Sequence, residues 1–525
     1  MGRSITERPV VKPTAYYHKP SNRHYTITSA PSRQIIDNTQ QNRPIKPNQQ
    51  NQQSPKSPKS QQNQLNQLDQ QNPQSRGGAG ALAGARPPGR ALPSLLNSPQ
   101  KQDTAYSISR HQLDATGQPI NLIEKSITLS IGSGNHAITY LHRTPQGRLL
   151  ELPISWYANL NTYAMSPGYD NSDHLDFRRE ISDSCLFCHS AAKQPAPIDC
   201  QRCHGPAQTH LASPQKGNIL NPALLTPQRQ LEICLQCHLE TASQGIVDSL
   251  RKPGRAVFSY QPGEPLADYK NYFAPTDSDR FEINNAGFRL LQSRCYLESK
   301  TAMTCTTCHD PHSAKVKTAS CQTCHKQPHT TADCVTCHMP KRTPSDAIHT
   351  SMTDHKITRK PSFKELAHAG PVIDFYTKAD PQALAIANQH EGDPAVYRRY
   401  LQNDPNNEPI LVALAKALLR LNQPAEATKL LEKAQQIDPR DTNAQTYRAV
   451  AEAVQGNTQK ALSILKQAVI DNPDHALARI NLGITHEALG DFKSALTDYT
   501  EAIRLQPDSA EAKHRRNALH RRLAR

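Results

Sequence analysis

The sequence repeats one short motif six times between residues 185 and 338: two cysteines separated by two residues, then a histidine directly after the second. Cysteines at this spacing can form thioether bonds to both vinyl groups of one porphyrin, and the histidine then lies beneath the iron as a proximal ligand. The motif predicts six covalently attached haems of type c. The attaching cysteines are Cys185, Cys188, Cys200, Cys203, Cys234, Cys237, Cys305, Cys308, Cys321, Cys324, Cys334 and Cys337, and the predicted proximal ligands are His189, His204, His238, His309, His325 and His338.

Zinc is the alternative to haem at these motifs, because paired Cys-x-x-Cys sequences also bind zinc in zinc ribbons. A structural zinc site has no need of a histidine directly after the second cysteine, yet all six pairs have one. The motif therefore favours haem. The remaining cysteine, Cys295, is predicted to be a buried thiol, with a redox or iron-ligating role as the less favoured alternative.

Composition limits how the rest of the chain can fold. Of 525 residues only 36% are hydrophobic and 5% aromatic, and 41 are proline, so much of the chain cannot build a conventional apolar core. In the motif segment the porphyrins would supply that apolar mass. The formal charge of +15 predicts a solvated basic surface or a docking patch for an acidic redox partner, and not nucleic-acid binding, because six haems carry propionates that offset it.

Thioether attachment requires an exported chain, so the predicted location is periplasmic or otherwise extracytoplasmic. The first residues lack the apolar core of an export signal, and no apolar run is long enough to span a membrane.

The predicted fold class is mainly α with a small β-hairpin region, in which a multihaem cytochrome c domain containing much coil precedes an α-solenoid. The predicted segments are an N-terminal cytochrome fragment at 1–28, a disordered Gln/Pro-rich insertion at 29–103, the cytochrome domain at 104–360, a linker at 361–379 and a repeat solenoid with a capping helix at 380–525.

Local patterns mark parts of these segments. The pattern predicts a strand at residues 127–131 and a hairpin formed by 137–143 and 148–154 around the turn at 144–147.

Beyond residue 375, Pro405, Pro439, Pro473 and Pro507 recur every 34 residues, the period of the tetratricopeptide repeat. Such repeats stack as helix pairs into a curved solenoid, whose concave face is predicted to bind a protein partner.

A six-coordinate haem also needs a distal ligand, and histidine is a common choice. Seventeen histidines lie outside the motifs, enough for a wire in which every iron has two histidines, although one five-coordinate haem stays open as an alternative. The candidate distal ligands are His136, His142, His210, His312, His329, His349 and His355, with His18, His24 and His174 in reserve.

Several blocks of the sequence match a known family in order along the chain. They include residues 17–25, 132–136, 165–170, 292–295, 305–312 and 349–355. On these blocks, residues 1–28 and 104–360 resemble bacterial multihaem c-type cytochromes with doubled CxxCH motifs, which are often fused to tetratricopeptide repeats. The resemblance implies an exported haem protein, and implies His312 and one of His349 or His355 as distal ligands.

The sequence departs from that family at two places. Residues 29–103 look like an insertion, and the first residues resemble a segment that lies inside the family pattern, downstream of an export signal and an earlier motif. The expectation is therefore a misplaced start and a longer product with a seventh haem.

Three functions fit these observations. The favoured one is electron relay along closely spaced haems between redox partner proteins, with the solenoid docking a protein partner. The alternative is an oxidoreductase that acts on a small nitrogen or sulfur compound at one open-coordination haem. The third is a scaffold in which the haems are mainly structural.

Overall fold

The computed structural model describes most of the chain outside one long gap. The described residues are 5–7, 11–31, 104–191, 193, 196–239, 250–275, 279, 281–300, 302–313, 315–317, 320–325, 333–361, 372–376, 379–388 and 392–524. The predicted disordered insertion therefore lies outside the described residues, apart from its first few positions.

Two antiparallel sheets form the first part of the molecule. One has four strands in the order β2-β3-β4-β5, and the other has five in the order β1-β6-β7-β8-β9. The strands are β1 Ile5–Glu7, β2 Thr14–His18, β3 Arg23–Pro31, β4 Thr104–Leu113, β5 Pro119–Ile127, β6 Leu129–Ile131, β7 Ala137–Arg143, β8 Leu149–Tyr157 and β9 Thr162–Met165.

The hairpin predicted around residues 144–147 is present as β7 and β8. The backbone N–H of Thr144 donates to the carbonyl of Arg148 at 2.8 Å, and Gly147, with a φ of +83°, closes the turn. The β content is larger than the small hairpin region that the sequence predicts. Local sequence could not indicate this, because β3 and β4 are neighbours in a sheet although more than seventy residues separate them in the chain.

The motif segment consists of short helices joined by irregular chain. The helices are α1 Asp183–His189, α2 Gln201–His204, α3 Gln208–Ala212, α4 Pro227–His238, α5 Ala286–Leu291, α6 Arg294–Glu298, α7 Cys305–Cys308, α8 Ser320–Cys324 and α9 Cys334–His338. Two small two-stranded sheets accompany them, formed by β10 Phe273–Pro275 with β13 Val372–Asp374, and by β11 Lys341–Arg342 with β12 Met352–Thr353. Part of the predicted linker is therefore a paired strand, β13.

The C-terminal part is a series of antiparallel helix pairs. The helices are α10 Pro381–Asn388, α11 Pro394–Asn403, α12 Glu408–Arg420, α13 Pro424–Ile437, α14 Thr442–Val454, α15 Thr458–Asp471, α16 Ala476–Ala488, α17 Phe492–Leu505 and α18 Ala510–Leu523. Small residues at the repeat positions allow close packing: Ala427, Ala461 and Ala495 are fully buried. Gly483 is required because a Cβ there would lie 2.6 Å from the ring of Tyr499.

The helix pairs pack against both preceding parts. Ala476 and Leu505 join the hydrophobic core of the four-stranded sheet, and the Nζ of Lys125 lies 2.5 Å from Asp474. Leu250 and Phe273 of the motif segment share a core with the first helix pairs. The solenoid is thus an integral part of the fold.

Candidate functional site

Each motif lies on a short helix, except that the third ends the longer helix α4. Helical geometry places the two cysteines on one face, because residues three apart are neighbours there, and the histidine follows at the helix end. The side chains of α2, α7 and α9 include no buried residue. Such four- and five-residue helices are too short to be stable alone, so contacts outside the helix must hold them.

Polar and cation–π contacts tie the first three motifs together. The guanidinium of Arg202 in the second motif lies over the ring of Phe187 in the first, 4.7 Å from its centre. The same guanidinium donates to the carbonyl of Ser190 at 2.8 Å. From the third motif, the Nε2 amide of Gln236 donates to the carbonyl of Arg202 at 3.1 Å.

All thirteen cysteines lie within the described residues, and none of them forms a disulfide. Thiols of different motifs meet in the interior: Cys188 with Cys237, and Cys234 with Cys305. These hydrogen bonds, together with burial, raise the pKa of Cys234 and of Cys237. The first, third and fourth motifs therefore meet in one place.

Two pairs of histidines from distant parts of the chain face each other. The ring centres of His204 and His312 are 6.1 Å apart with planes inclined by 10°, and those of His309 and His355 are 6.1 Å apart with planes inclined by 26°. Two imidazoles that each bond one metal ion through a nitrogen at about 2 Å have ring centres about 6 Å apart. Each pair joins one predicted proximal ligand to one predicted distal ligand.

Hydrogen bonds to backbone carbonyls orient three of the candidate ligands through Nδ1. The acceptors are the carbonyl of Leu220 for His204 at 2.8 Å, Thr358 for His338 at 2.8 Å and Thr353 for His355 at 3.0 Å. An Nδ1–H that donates to a carbonyl leaves Nε2 as the nitrogen with the lone pair. This is the arrangement by which proteins orient metal-bound histidines.

The backbone next to His355 is anchored by a buried ion pair. Asp354 accepts two hydrogen bonds from Arg289, at 2.9 and 2.7 Å, and a third from Arg342 at 3.0 Å. Burial opposes ionisation, but the hydrogen bonds from Arg289 keep the pKa of Asp354 below its ordinary value. No local sequence signal identifies Asp354 and Arg289 as partners, because they lie 65 residues apart in the chain.

Gly287 brings helix α5 close to the third motif. A Cβ at Gly287 would lie 2.7 Å from the carbonyl oxygen of His238 and 2.3 Å from Leu235, so only glycine allows this approach. Because α5 also carries Arg289, it links the third motif to the anchor beside His355.

The other predicted distal ligands have different surroundings. His142 is buried between the sheet and the solenoid, where its Nδ1 contacts the carbonyl of Ser126 at 2.9 Å. Nε2 of His349 lies 2.6 Å from Asp170, His136 is exposed, and His329 lies outside the described residues. His210 has a buried Nδ1 with no hydrogen-bond partner, which leaves it a suitable candidate.

The reserve histidines are engaged in the β region. His18 contacts Ser21 at 2.8 Å through Nδ1 and the carbonyl of Asp170 at 3.2 Å through Nε2. His174 is held by Arg23, and burial lowers its pKa to about 3. His24 stacks on Tyr17, with ring centres 4.6 Å apart.

The surroundings of His204 are suited to a large apolar ligand. A cleft of about 490 Å³ borders this histidine and is lined by Leu220, Leu224 and Leu225 among others. Leu224 is 83% exposed, and Leu211, next to His210, is 80% exposed. Exposed leucines beside a cleft are consistent with a binding site.

The residues present therefore fit c-type haem at the second and fourth motifs: both have an attaching cysteine pair and a facing histidine pair. Cys295, predicted to be a buried thiol, is only partly buried, and burial raises the pKa of its thiol. Within the described ranges, no three His, Cys, Asp or Glu side chains converge to hold a single metal ion. Those ranges also contain no helix with the length and apolar character needed to cross a membrane.

Comparison with known proteins identifies the helix pairs. Two family models described as "Tetratricopeptide repeat" match residues 395–451 and 455–510. The C-terminal region is a tetratricopeptide-repeat solenoid. The predicted repeats are thereby confirmed, and repeats of this kind bind peptide or protein partners.

Individual relatives are similar over short stretches. Protein FlbA of Caulobacter vibrioides is 29% identical over 175 residues, which is 29% of either chain, so this chain spans under a third of that relative. The structure of MamA is 24% identical with a TM-score of 0.23, covering 25% of this chain and 77% of MamA. YrrB, "a TPR protein with an unusual peptide-binding site", is 27% identical with a TM-score of 0.22, covering 24% of this chain and 64% of YrrB.

Proposed function

We propose that this protein is an exported multihaem c-type cytochrome that relays electrons through six covalently bound haems. The observation that carries the proposal is the pair of facing histidine couples, His204 with His312 and His309 with His355. Each couple joins a motif histidine to a remote one, and the separation of the ring centres would accommodate a metal ion between two ring nitrogens. The six motifs support the same cofactor at the remaining sites.

The chain's own residues would attach the haems, bind their irons and orient the ligating histidines. The cysteine pairs of the motifs would hold each haem covalently, and the histidine after each pair would be one axial ligand. Bound haem supplies reversible one-electron redox chemistry at its iron, with a potential set by the axial ligands, burial and nearby charge. The carbonyl acceptors at Nδ1 of His204, His338 and His355 favour a proton on Nδ1, which would leave Nε2 as the ligating nitrogen.

The solenoid would contribute the contact with a protein partner. Loops at one edge of the repeats already contact the β region, through Asp474 and Asp508. The first helices of the repeats present exposed side chains that remain accessible, including Lys416 and Leu477. The first helix pairs share a hydrophobic core with Leu250 and Phe273 of the motif segment.

The proposal is tested by the spectra of the chain purified from a host that exports it and attaches c-type haem. The expected reduced spectrum is that of low-spin haem, and carbon monoxide should change it little, because two histidines would hold each relay haem. Strong carbon monoxide binding to one haem in six would instead favour the oxidoreductase. Absence of bound haem would refute both functions.

A control variant keeps this test specific. Replacement of His355 by Ala should leave the covalent haem in place and convert one haem to a form that binds carbon monoxide. Replacement of the exposed His520 of the solenoid helix α18 by Ala should leave the spectrum unchanged, and an equal effect of the two substitutions would contradict the assigned ligation.

A further inference from the structure

One short turn joins the two histidine couples. His309 faces His355, and His312, three residues later, faces His204. Three residues of chain span at most about 11 Å, so the two couples are neighbours. Sequence order would instead place the second motif beside the third.

The turn between the two histidines is built by Asp310. Its carboxylate Oδ1 accepts hydrogen bonds from the backbone N–H of His312 and of Ser313, both at 2.9 Å. An aspartate that accepts backbone N–H groups two and three residues on forms an Asx turn, which fixes the local chain direction. The direction in which His312 leaves the chain is therefore set relative to His309.

Backbone pairing on both sides closes the loop that contains this turn. The N–H of Asp310 donates to the carbonyl of Lys315 at 2.9 Å, and the N–H of Lys317 donates to the carbonyl of Cys308 at 2.7 Å. His309 and Val316 form an antiparallel bridge. These bonds tie the loop to α7, the helix of the fourth motif.

We propose that the second and fourth motifs hold neighbouring haems that exchange electrons directly, and that Asp310 is the positioning residue for this exchange. This inference rests on the proposed function. One electron would leave the iron between His204 and His312, oxidising it from Fe²⁺ to Fe³⁺, and would reduce the iron between His309 and His355 from Fe³⁺ to Fe²⁺. The reverse transfer balances in the same way, and no proton is transferred.

Ligation is tested first, with His312→Ala in the full haem-loaded chain. The expected result is six bound haems, of which one changes from low-spin to high-spin by electron paramagnetic resonance, with carbon monoxide binding rising from none to one per chain. Six low-spin haems in the variant would overturn the inference and leave the proposed function standing. A wild-type chain without haem would refute the proposed function itself.

Adjacency is tested with the double variant His312→Ala, His355→Ala. Neighbouring irons interact magnetically, so the two new high-spin signals should broaden relative to the signal of either single variant. Two signals as sharp as those of the single variants would overturn the adjacency while leaving each ligand assignment intact.

The positioning role of Asp310 is tested with Asp310→Ala and its conservative partner Asp310→Asn. Asn can still accept the two backbone hydrogen bonds, so it should keep all six haems low-spin, whereas Ala should make the haem ligated by His312 partly high-spin. The matched control is Asp114→Ala, because Asp114 forms a similar exposed turn, accepting from Thr116 at 2.8 Å, far from the motifs in sequence. High-spin haem in the control, or none with Asp310→Ala, would overturn the role.

Discussion

The motif segment and the solenoid are built in different ways. In the solenoid, α12 alone buries Ile410, Leu411, Leu414 and Leu418 among its side chains, and each following helix pair repeats that packing. In the motif segment, no residue of α7 or α9 is fully buried. Periodic apolar residues define the first region, whereas turns, ion pairs and the proposed covalent haems define the second.

The difference shows which region can stand alone. Burial of apolar side chains is the main stabilising contribution in folding, and the solenoid obtains it from its own sequence. The motif helices lack it, so they need another apolar body to pack against. We therefore expect the motif segment to lose structure when the cofactor is absent and the solenoid to keep its structure.

The largest expected effect is loss of structure in the motif segment when haem attachment is prevented. Replacement of all six cysteines of the fourth to sixth motifs by serine should expose residues 305–358 to rapid hydrogen exchange. The helices from α12 to α17 should keep their protection, because their core does not involve the motifs. Equal protection of the motif segment in the variant and the parent would contradict the comparison.

The next effect concerns the contact between the sheet and the solenoid. Asp176 is buried and accepts from Arg110 at 2.7 Å, and Arg23 reaches both Asp176 and Asp508 of the solenoid. Asp176→Asn would leave buried guanidinium groups without their carboxylate, at an expected cost of about 3–5 kcal/mol in the free energy of unfolding.

Fluorescence of Trp156, the one tryptophan of the chain, reports on the sheet during unfolding by urea. The control is Arg398→Ala, which breaks an exposed pair with Glu426 and should cost less than about 1 kcal/mol. A cost for Asp176→Asn no larger than that of the control would show that the buried pair does not couple the two regions.

A pH effect of intermediate size should appear at the same contact. Burial, with repulsion from Lys125, lowers the pKa of His142 to about 4, against about 6.5 in an unfolded chain. The unfolded chain therefore binds a proton that the folded chain rejects between these values. The contribution to stability is complete above pH 6.5 and is lost as the pH falls toward 4, on the order of 3 kcal/mol.

Urea unfolding followed by Trp156 at pH 7 and pH 4.5 measures this loss. His142→Gln should flatten the pH dependence, whereas substitution of the exposed His136 should preserve it. An unchanged slope in His142→Gln would assign the acid sensitivity to other groups.

The smallest expected effect lies inside the solenoid. Gly483→Val would push a side chain against Tyr499, where even a Cβ lies 2.6 Å from the ring, at an expected cost of about 1–3 kcal/mol. Circular dichroism at 222 nm during heating measures it, with Ala488→Val on the same helix as the exposed control. A matching loss of haem redox signal would show that the motif segment depends on this part of the solenoid core.

Sequence alone predicts the periodic part of the fold well. The prolines that recur every 34 residues and the small residues between them predict the repeats, because each repeat makes the same local contacts. The sheet is only partly predictable: the hairpin of β7 and β8 has a local turn signal, but β3 lies beside β4 across residues 32–103.

The residues of the candidate site are also only partly predictable from sequence. The motif cysteines and histidines follow from spacing, whereas the partners of His204 and His309 depend on contacts across 108 and 46 residues, which no local pattern encodes. The surroundings of His142 were equally invisible to sequence, because its charged neighbours include Asp474 of the solenoid, more than 300 residues away in the chain. Asp310 could have been found from sequence, because an aspartate two residues before His312 is a recognised turn former.

The number of haems bound to each chain decides between haem and zinc at the six motifs. Pyridine haemochrome spectra of the protein from its native host, set against the protein concentration by amino-acid analysis, measure this number. The account predicts six haems for the six motifs of this chain. A value of zero, with zinc bound to the cysteine pairs instead, would contradict it.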